Sequence, residues 1–389
     1  MSRYAKRGVS AQKEEVHAAV KHLNPGLYPY SFCKIYPDFL CNDKDWVSIM
    51  HADGAGTKSI LAYLYWRETG DLSVWKGVAQ DAIVMNLDDL LCVGVTSSLL
   101  FSSTIDRNKK LIPGEVLAAI IEGTSSFFDQ MSEYGVDIHF MGGETADVGD
   151  VVRTVAINGT MTARWPKANL ITNEAIKSGD VIVGLAGFGK ANYENAYNSG
   201  IASNGLTSAR HDLLNQTYKQ QFPESLDPSM EIEVAYTGPY KLSSEVVDQD
   251  NRYTVGELLL SPTRTFAPVI KKLLEEIPHA IHGLIHCSGG GQTKCLKYLP
   301  GSFKVVKDNL FTPPPVFRLI QEASKSDLRE MMQVFNMGTR LEIYTDIKQA
   351  QSIIDIAESF GVAAQIIGRV EEAAKKELII QHQNEQLVF

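Results

Sequence analysis

Apolar residues recur along this chain at two periods, and each period predicts an element. Over residues 113–134, Leu117, Ile120, Ile121, Phe128 and Met131 fall at i, i+3, i+4, i+11 and i+14, one face of a helix, with Pro113 at its start and Gly135 just past its end. Residues 77–93 are apolar almost throughout and helical in length. Further helices are expected from Ser59 onward and, amphipathic, over 346–360. Short apolar or alternating runs predict strands at 47–50, 98–105, 137–141, 151–163, 181–186, 364–370 and 377–381. Strand and helix alternate through the first part of the chain, which argues for an α/β or α+β domain. A break follows at 165–170, where Pro166 and polar residues end a long strand, and Gly179-Asp180 introduces the next one. Two domains are therefore expected, 1–168 and 169–389, with residues 1–45 as a turn-rich arm on the first. Residues 215–256, polar and weakly periodic, read as a surface elaboration inserted in the second.

At 389 residues the chain is long enough for two cores, and 44% hydrophobic with 21% charged residues is the balance of a globular protein in water. A net charge of −9 repels nucleic acid and anionic lipid, so neither is expected as a partner. Any phosphate must then be held locally, by backbone N–H groups, a few basic side chains or a divalent metal. No apolar run approaches the ~20 residues of a membrane span, and none at the start resembles a signal peptide. Cys33, Cys41, Cys92, Cys287 and Cys295 are odd in number and form no CxxC pair. A reduced, cytoplasmic protein is the expectation, although Cys33 and Cys41 could meet in a loop.

Candidate chemistry gathers in four segments that mix glycines with carboxylates. In His51-Ala52-Asp53-Gly54-Ala55-Gly56-Thr57-Lys58, glycines let backbone N–H groups turn to a ligand, while Thr57 and Lys58 add a hydroxyl and a charge near a helix start. That suits phosphate, and Asp53 suits Mg²⁺, although a tight turn with a helix cap explains the segment as well. It is not a Walker A loop, which needs glycines where Ala52 and Thr57 stand. Asp88 and Asp89 lie in an apolar helix, where ionised carboxylates are costly unless a cation or donors meet them; being adjacent, one can face out while the other works. Gly142-Gly143-Glu144-Thr145-Ala146-Asp147 follows a strand and reads as a turn with oxygen ligands. Ser203-Asn204-Gly205 and His286-Cys287-Ser288-Gly289-Gly290-Gly291 form the fourth, a further phosphate-cradling turn with His286 as proton partner or simply as a core histidine.

Taken in order, these segments resemble the phosphoribosylformylglycinamidine cyclo-ligase (AIR synthetase) family of the PurM-like superfamily. Tyr4-Ala5-Lys6-Arg7-Gly8-Val9 is similar to the family's Tyr-Lys-x-x-Gly-Val, and Asp53 to Lys58 to its Asp-Gly-Val-Gly-Thr-Lys. Asp89-Leu90 matches Asn-Asp-Leu, and the run from Gly142 to Ala146 matches Gly-Gly-Glu-Thr-Ala. Ser203-Asn204-Gly205, Ser261-Pro262-Thr263-Arg264, the glycines after His286, and Phe335-Asn336-Met337-Gly338 complete the set. Asp88 stands where the family has Asn and Ala202 where it has His; residues 188–200 and 215–256 look inserted.

The resemblance implies a two-domain α+β PurM-like fold, an N-terminal mixed α/β domain that pairs with its twin in a homodimer, and a C-terminal α/β domain. It implies ATP-dependent cyclisation of formylglycinamidine ribonucleotide to aminoimidazole ribonucleotide, with ADP and phosphate released, in de novo purine biosynthesis. Asp53, Asp89 and Glu144 would hold Mg²⁺; Gly54, Gly56, Thr57, Lys58, Asp88, Gly143 and Thr145 would surround ATP with them. Ser203, Asn204, Gly205, His286, Gly289, Gly290 and Gly291 would hold substrate, and Lys58, Asp89 and His286 would carry the catalysis. The sequence does not decide a K⁺ requirement. Two rivals are a superfamily kinase of another small molecule and a non-catalytic ATP-binding paralogue, against which the retained Asp53, Lys58, Asp89 and Glu144 argue.

Overall fold

A computed structural model describes residues 6–9, 14–382 and 385–389; Tyr4 and Ala5 of the N-terminal motif lie outside them. After a short helix α1 (Glu14–Val20), the first half builds one sheet from β1 (Ile35–Pro37), β2 (Trp46–Gly54), β3 (Leu99–Arg107), β4 (Ile138–Asp147) and β5 (Val155–Pro166). The strand order is β1-β2-β5-β3-β4, and the β3–β4 pair is parallel. Helices α2 (Lys58–Thr69), α3 (Val74–Leu91) and α4 (Gly114–Ser132) belong to this half, with α3 packed on β2 and β5. The opposite face is bare: Met50 and Leu100, aligned across Thr162 of β5, are 63% and 37% exposed.

The second half centres on a seven-stranded sheet. Its members are β6 (Val181–Ala186), β11 (Gly283–His286), β12 (Phe303–Lys307), β13 (Thr339–Thr345), β14 (Ala364–Glu372), β15 (Glu377–His382) and β16 (Glu385–Val388), in the order β11-β13-β6-β14-β12-β15-β16. Two ribbons, β7 (Phe188–Gly189) with β8 (Asn198–Ser199) and β9 (Glu245–Asp248) with β10 (Asn251–Thr254), stand apart from it. Helices α5 (Leu206–Leu213), α6 (Thr217–Gln221), α7 (Val255–Leu260), α8 (Ala267–Glu276), α9 (Cys295–Tyr298), α10 (Pro315–Ser324), α11 (Leu328–Val334) and α12 (Ile347–Ser359) complete it. The two α+β halves agree with the expected PurM-like class.

Three local expectations need revision. The α4 face keeps Ile120, Phe128 and Met131 but is rotated toward Val116, Gly123 and Phe127, which leaves Ile121 exposed, because small residues as well as large apolar ones are buried along it. Gly142 to Asp147 is not a turn but the second half of β4, in register with Ser103 to Arg107 after a bulge that Gly142 accommodates at φ 82°. Residues 215–256 are not merely surface: Tyr218, Tyr236 and Leu242 are buried in the core.

Helix α3 is the joint between the halves. It is apolar nearly all round, which marks a helix enclosed on every side, yet it buries Asp81, Asn86, Asp88 and Asp89. Asp81 accepts from the buried ammonium of Lys58 (2.9 Å) and from the backbone N–H of Thr263 (2.7 Å). Asp88 accepts from the Thr265 hydroxyl at 2.6 Å. The donors from residues 263–265 thus tie the second half to the first through carboxylates that would otherwise be prohibitive to bury.

Candidate active site

A cleft of about 710 Å³ opens where the end of β2 and the C-terminal turn of α3 meet the glycine turn after β11. From the first half it is lined by Lys34, His51, Asp53 and Asp89, from the second by Asn204, Ser288, Gly289, Gly290 and Lys294, among others. Gly290 makes the turn at φ 101°, a conformation costly for any residue with a Cβ, and Lys294 caps it with a bond to the Gly289 carbonyl (3.1 Å).

Asp89 organises the cleft. Its Oδ1 meets His286 Nδ1 at 2.6 Å and its Oδ2 meets His51 Nε2 at 3.1 Å. Burial opposes its charge, but the two imidazoles hold the carboxyl well below the usual range. His286 is wholly buried, and Arg340 donates to its Nε2 at 2.8 Å, so the proton of the neutral ring sits on Nδ1 and faces Asp89. Burial, then Arg340, pushes its pKa down to about 4. His51 has the opposite bias. The Asn86 amide donates to the carbonyls of Asp53, Ala82 and Gly159, which turns its Oδ1 toward His51 Nδ1 at 3.1 Å. Both ring nitrogens of His51 therefore donate, and although burial opposes the charge, Asp89 and Asn86 raise its pKa.

Other expected site residues fall elsewhere. Lys58 does not reach a phosphate at the loop: its ammonium is buried on Asp81 and the Ser261 carbonyl. Asp88 faces Thr265 and the Phe266 N–H, away from the cleft, and His286 lies under Asp89 rather than in contact with the cavity. Gly56 and Thr57 line a different cavity, and Gly54 pairs with Asn158 in the sheet. Ser203 meets Thr263, Gly205 backs onto the Phe335 ring, and Gly291 packs beneath the turn against the Met332 and Phe335 carbonyls.

The magnesium set does not assemble within one chain. Glu144 aligns with Thr104, Asn158 and Gly54 in one cross-strand row, roughly 14 Å from Gly54 at ordinary strand spacing. Asp53, the neighbour of Gly54, points to the opposite side of the sheet by strand alternation. Asp89 has both oxygens on imidazoles, and among the described residues no three His, Cys, Asp or Glu side chains group as a metal site. Asp53 remains at the cleft, its Oδ1 accepting the Gly54 N–H at 2.7 Å. His51, Asn86, Arg340, Lys34 and Lys294 were not foreseen. His51 shares a strand face with Asp53 at i, i+2 and Asn86 shares a helix face with Asp89 at i, i+3, so two of the five carried a signal.

Two α+β halves that set carboxylates against a glycine turn across one cleft define a two-domain protein of the PurM-like fold. The families described as AIR synthase related protein, N-terminal domain and C-terminal domain, match residues 37–165 and 177–381. The chain belongs to the AIR synthase related family. It is 29% identical over 329 residues to a phosphoribosylformylglycinamidine cyclo-ligase of Methanocaldococcus jannaschii, covering 85% of this chain and 79% of that one. A Methanococcus vannielii protein of the same name is 27% identical over 356 residues, covering 89% and 86%. Among solved structures, Thermotoga maritima PurL complexed with FGAR superposes with a TM-score of 0.51 at 14% identity; the match covers 88% of this chain but only 44% of PurL.

Proposed function

We propose that the chain closes the imidazole ring of purines, converting formylglycinamidine ribonucleotide and ATP to aminoimidazole ribonucleotide, ADP and phosphate. The observation that carries this reading is the cleft itself, which brings Asp53 and Asp89 of one half against Asn204, Gly289 and Gly290 of the other in a family whose relatives bear that activity's name. An amide oxygen leaves poorly. Once ATP phosphorylates it, the amidine nitrogen attacks the same carbon, the C–N bond forms, and phosphate departs. Such a sequence asks the protein for positioning and charge balance rather than a covalent nucleophile. The one thiol in the cleft fits that absence: burial, then Asp89, raises the pKa of Cys33 well above the usual value, and its Sγ donates to the Asp89 carbonyl.

In this reading the backbone of Gly289 and Gly290, which line the cleft, receives a phosphate with Lys294 beside it, and Asn204 orients the substrate. The His51 imidazolium offers an N–H-bearing positive face near the transferring group, positioned by Asp89 and Asn86. A magnesium ion would rest on Asp53 with phosphate oxygens, since this ion takes one or two carboxylates and the substrate's own oxygens. Glu144 would reach the cleft only from a second copy, seated on the bare face of the first sheet in the homodimer that the resemblance implies. The test is the purified protein with ATP, Mg²⁺ and formylglycinamidine ribonucleotide, with the aminoimidazole followed by its colour. ADP release with another small molecule, thiamine monophosphate for example, and none with this substrate would replace the proposal by a kinase.

A further inference from the structure

Behind the cleft, across the loop from Asp53 to Thr57, lies a second cavity of about 350 Å³. Gly56 and Thr57 line it from that loop, Thr207 and Arg210 from α5, and Thr154 from the residue before β5. Arg210 is only 4% exposed, and its Nε and Nη1 have no hydrogen-bond partner among the described residues. Its Nη2 lies 2.9 Å from His211 Nε2. The Tyr236 N–H faces His211 Nδ1 at 3.2 Å, and a neutral imidazole has one acceptor nitrogen, so it satisfies only one of these two donors. Burial, then Arg210, pushes the His211 pKa down, which keeps that ring uncharged.

Among the described residues no carboxylate pairs with this guanidinium. Tyr236, whose ring centre lies 5.7 Å from the guanidinium carbon, favours its charge, while Arg7 and Arg153, both of its own sign, oppose it. Arg7 is held bidentate by Asp212 at 2.8 Å, and Arg153 is paired with Asp227 at 3.2 Å. Glu224 also lines the cavity but accepts from the Tyr63 hydroxyl. The Thr154 hydroxyl is a second buried polar group without a hydrogen-bond partner among the described residues, at 2% exposure. Helix α2, of 12 residues, begins beside the cavity after Thr57, with no acidic side chain in its first turn.

Buried charges in folded proteins are paired, and an arginine fork with a hydroxyl and a helix start is the donor set that takes phosphate. The geometry points to a second anion site here, for the phosphate group of a small phosphorylated metabolite whose body lies against Ile60, Leu226 and Met230. It stands back to back with the cleft and shares two segments with it: the loop carrying Asp53 and the one carrying Asn204. Neither the ring closure nor its substrates require it.

The experiment uses the full chain in phosphate-free buffer, with inorganic phosphate and AMP as probes, read by thermal unfolding and titration calorimetry. The wild type is expected to gain about 4 °C or more at saturation. Arg210→Met is expected to lose at least about tenfold in affinity for the responding probe and, having no unpaired buried charge, to melt above the wild type in phosphate-free buffer. Thr154→Val is expected to weaken binding as well and serves if Arg210→Met does not fold. A response to AMP alone assigns a phosphate ester; equal responses to both assign free phosphate. Absence of any response in the wild type, or an unchanged affinity in either variant, overturns the site.

Discussion

Both oxygens of Asp89 are taken by imidazoles, which leaves Asp53 as the carboxylate best placed to meet a nucleotide. Asp53→Asn is expected to lower ADP release by about a hundredfold or more with the fold intact; full turnover in that variant would remove Asp53 from the site. Asp88 makes a different prediction. Burial, against the pull of Arg340 and Thr265, pushes its carboxyl up to about 7 from 3.8, and its Oδ2 has no partner among the described residues. The folded chain therefore holds this proton more tightly than the unfolded one, so stability falls as pH rises from about 4 to about 7. Asp88→Asn is expected to match the wild type near pH 4 and to exceed it by on the order of 3 kcal/mol at pH 8. Parallel curves of melting temperature against pH would rule this out. The residue types of the site were legible in the glycine–carboxylate segments, but their partners were not. Nothing local indicates that Asp89 is occupied by rings from positions 51 and 286, or that Lys58 turns inward to Asp81.

At the scale of elements, α3 explains much of what sequence missed. Its length and apolarity predicted a helix, and a helix is there, displaced by a few residues at its ends. Asp88 and Asp89 read locally as costly unless a cation or donors met them, because the groups that meet them, Thr265 and Phe266 for Asp88 and His51 and His286 for Asp89, lie far along the chain. Strand β4 was cut short for a related reason: paired glycines look like a turn unless the neighbouring strand that pairs with them is known. The Lys58–Asp81 pair gives this joint a measurable cost. Asp81→Ala leaves a buried ammonium uncompensated and is expected to destabilise the protein by about 3–5 kcal/mol in urea unfolding. The double substitution of Lys58→Met with Asp81→Leu is expected to recover most of that loss, and failure to do so would show that the pair is not the origin of the cost.

For the whole molecule, the bare sheet face is the feature that a single chain leaves incomplete. If a second copy covers it and delivers Glu144, Leu100→Glu is expected to shift the protein to a monomer in sedimentation and to lose ADP release. Mixing is the sharper test. Chains carrying Asp53→Asn and chains carrying Glu144→Gln, each inactive alone, should regain activity when unfolded together and refolded, because one site of each hybrid receives both intact carboxylates. No recovery would place the two residues' roles within one chain or deny Glu144 a role.

The ties from α3 to residues 263–265 have a consequence for how molecules enter and leave. Opening this joint would strip the buried Lys58–Asp81 pair and Asp88 of their donors, a cost that opposes hinge motion between the halves. Entry is then expected to depend on the side chains that line the mouth, Lys34 and Lys294 among them.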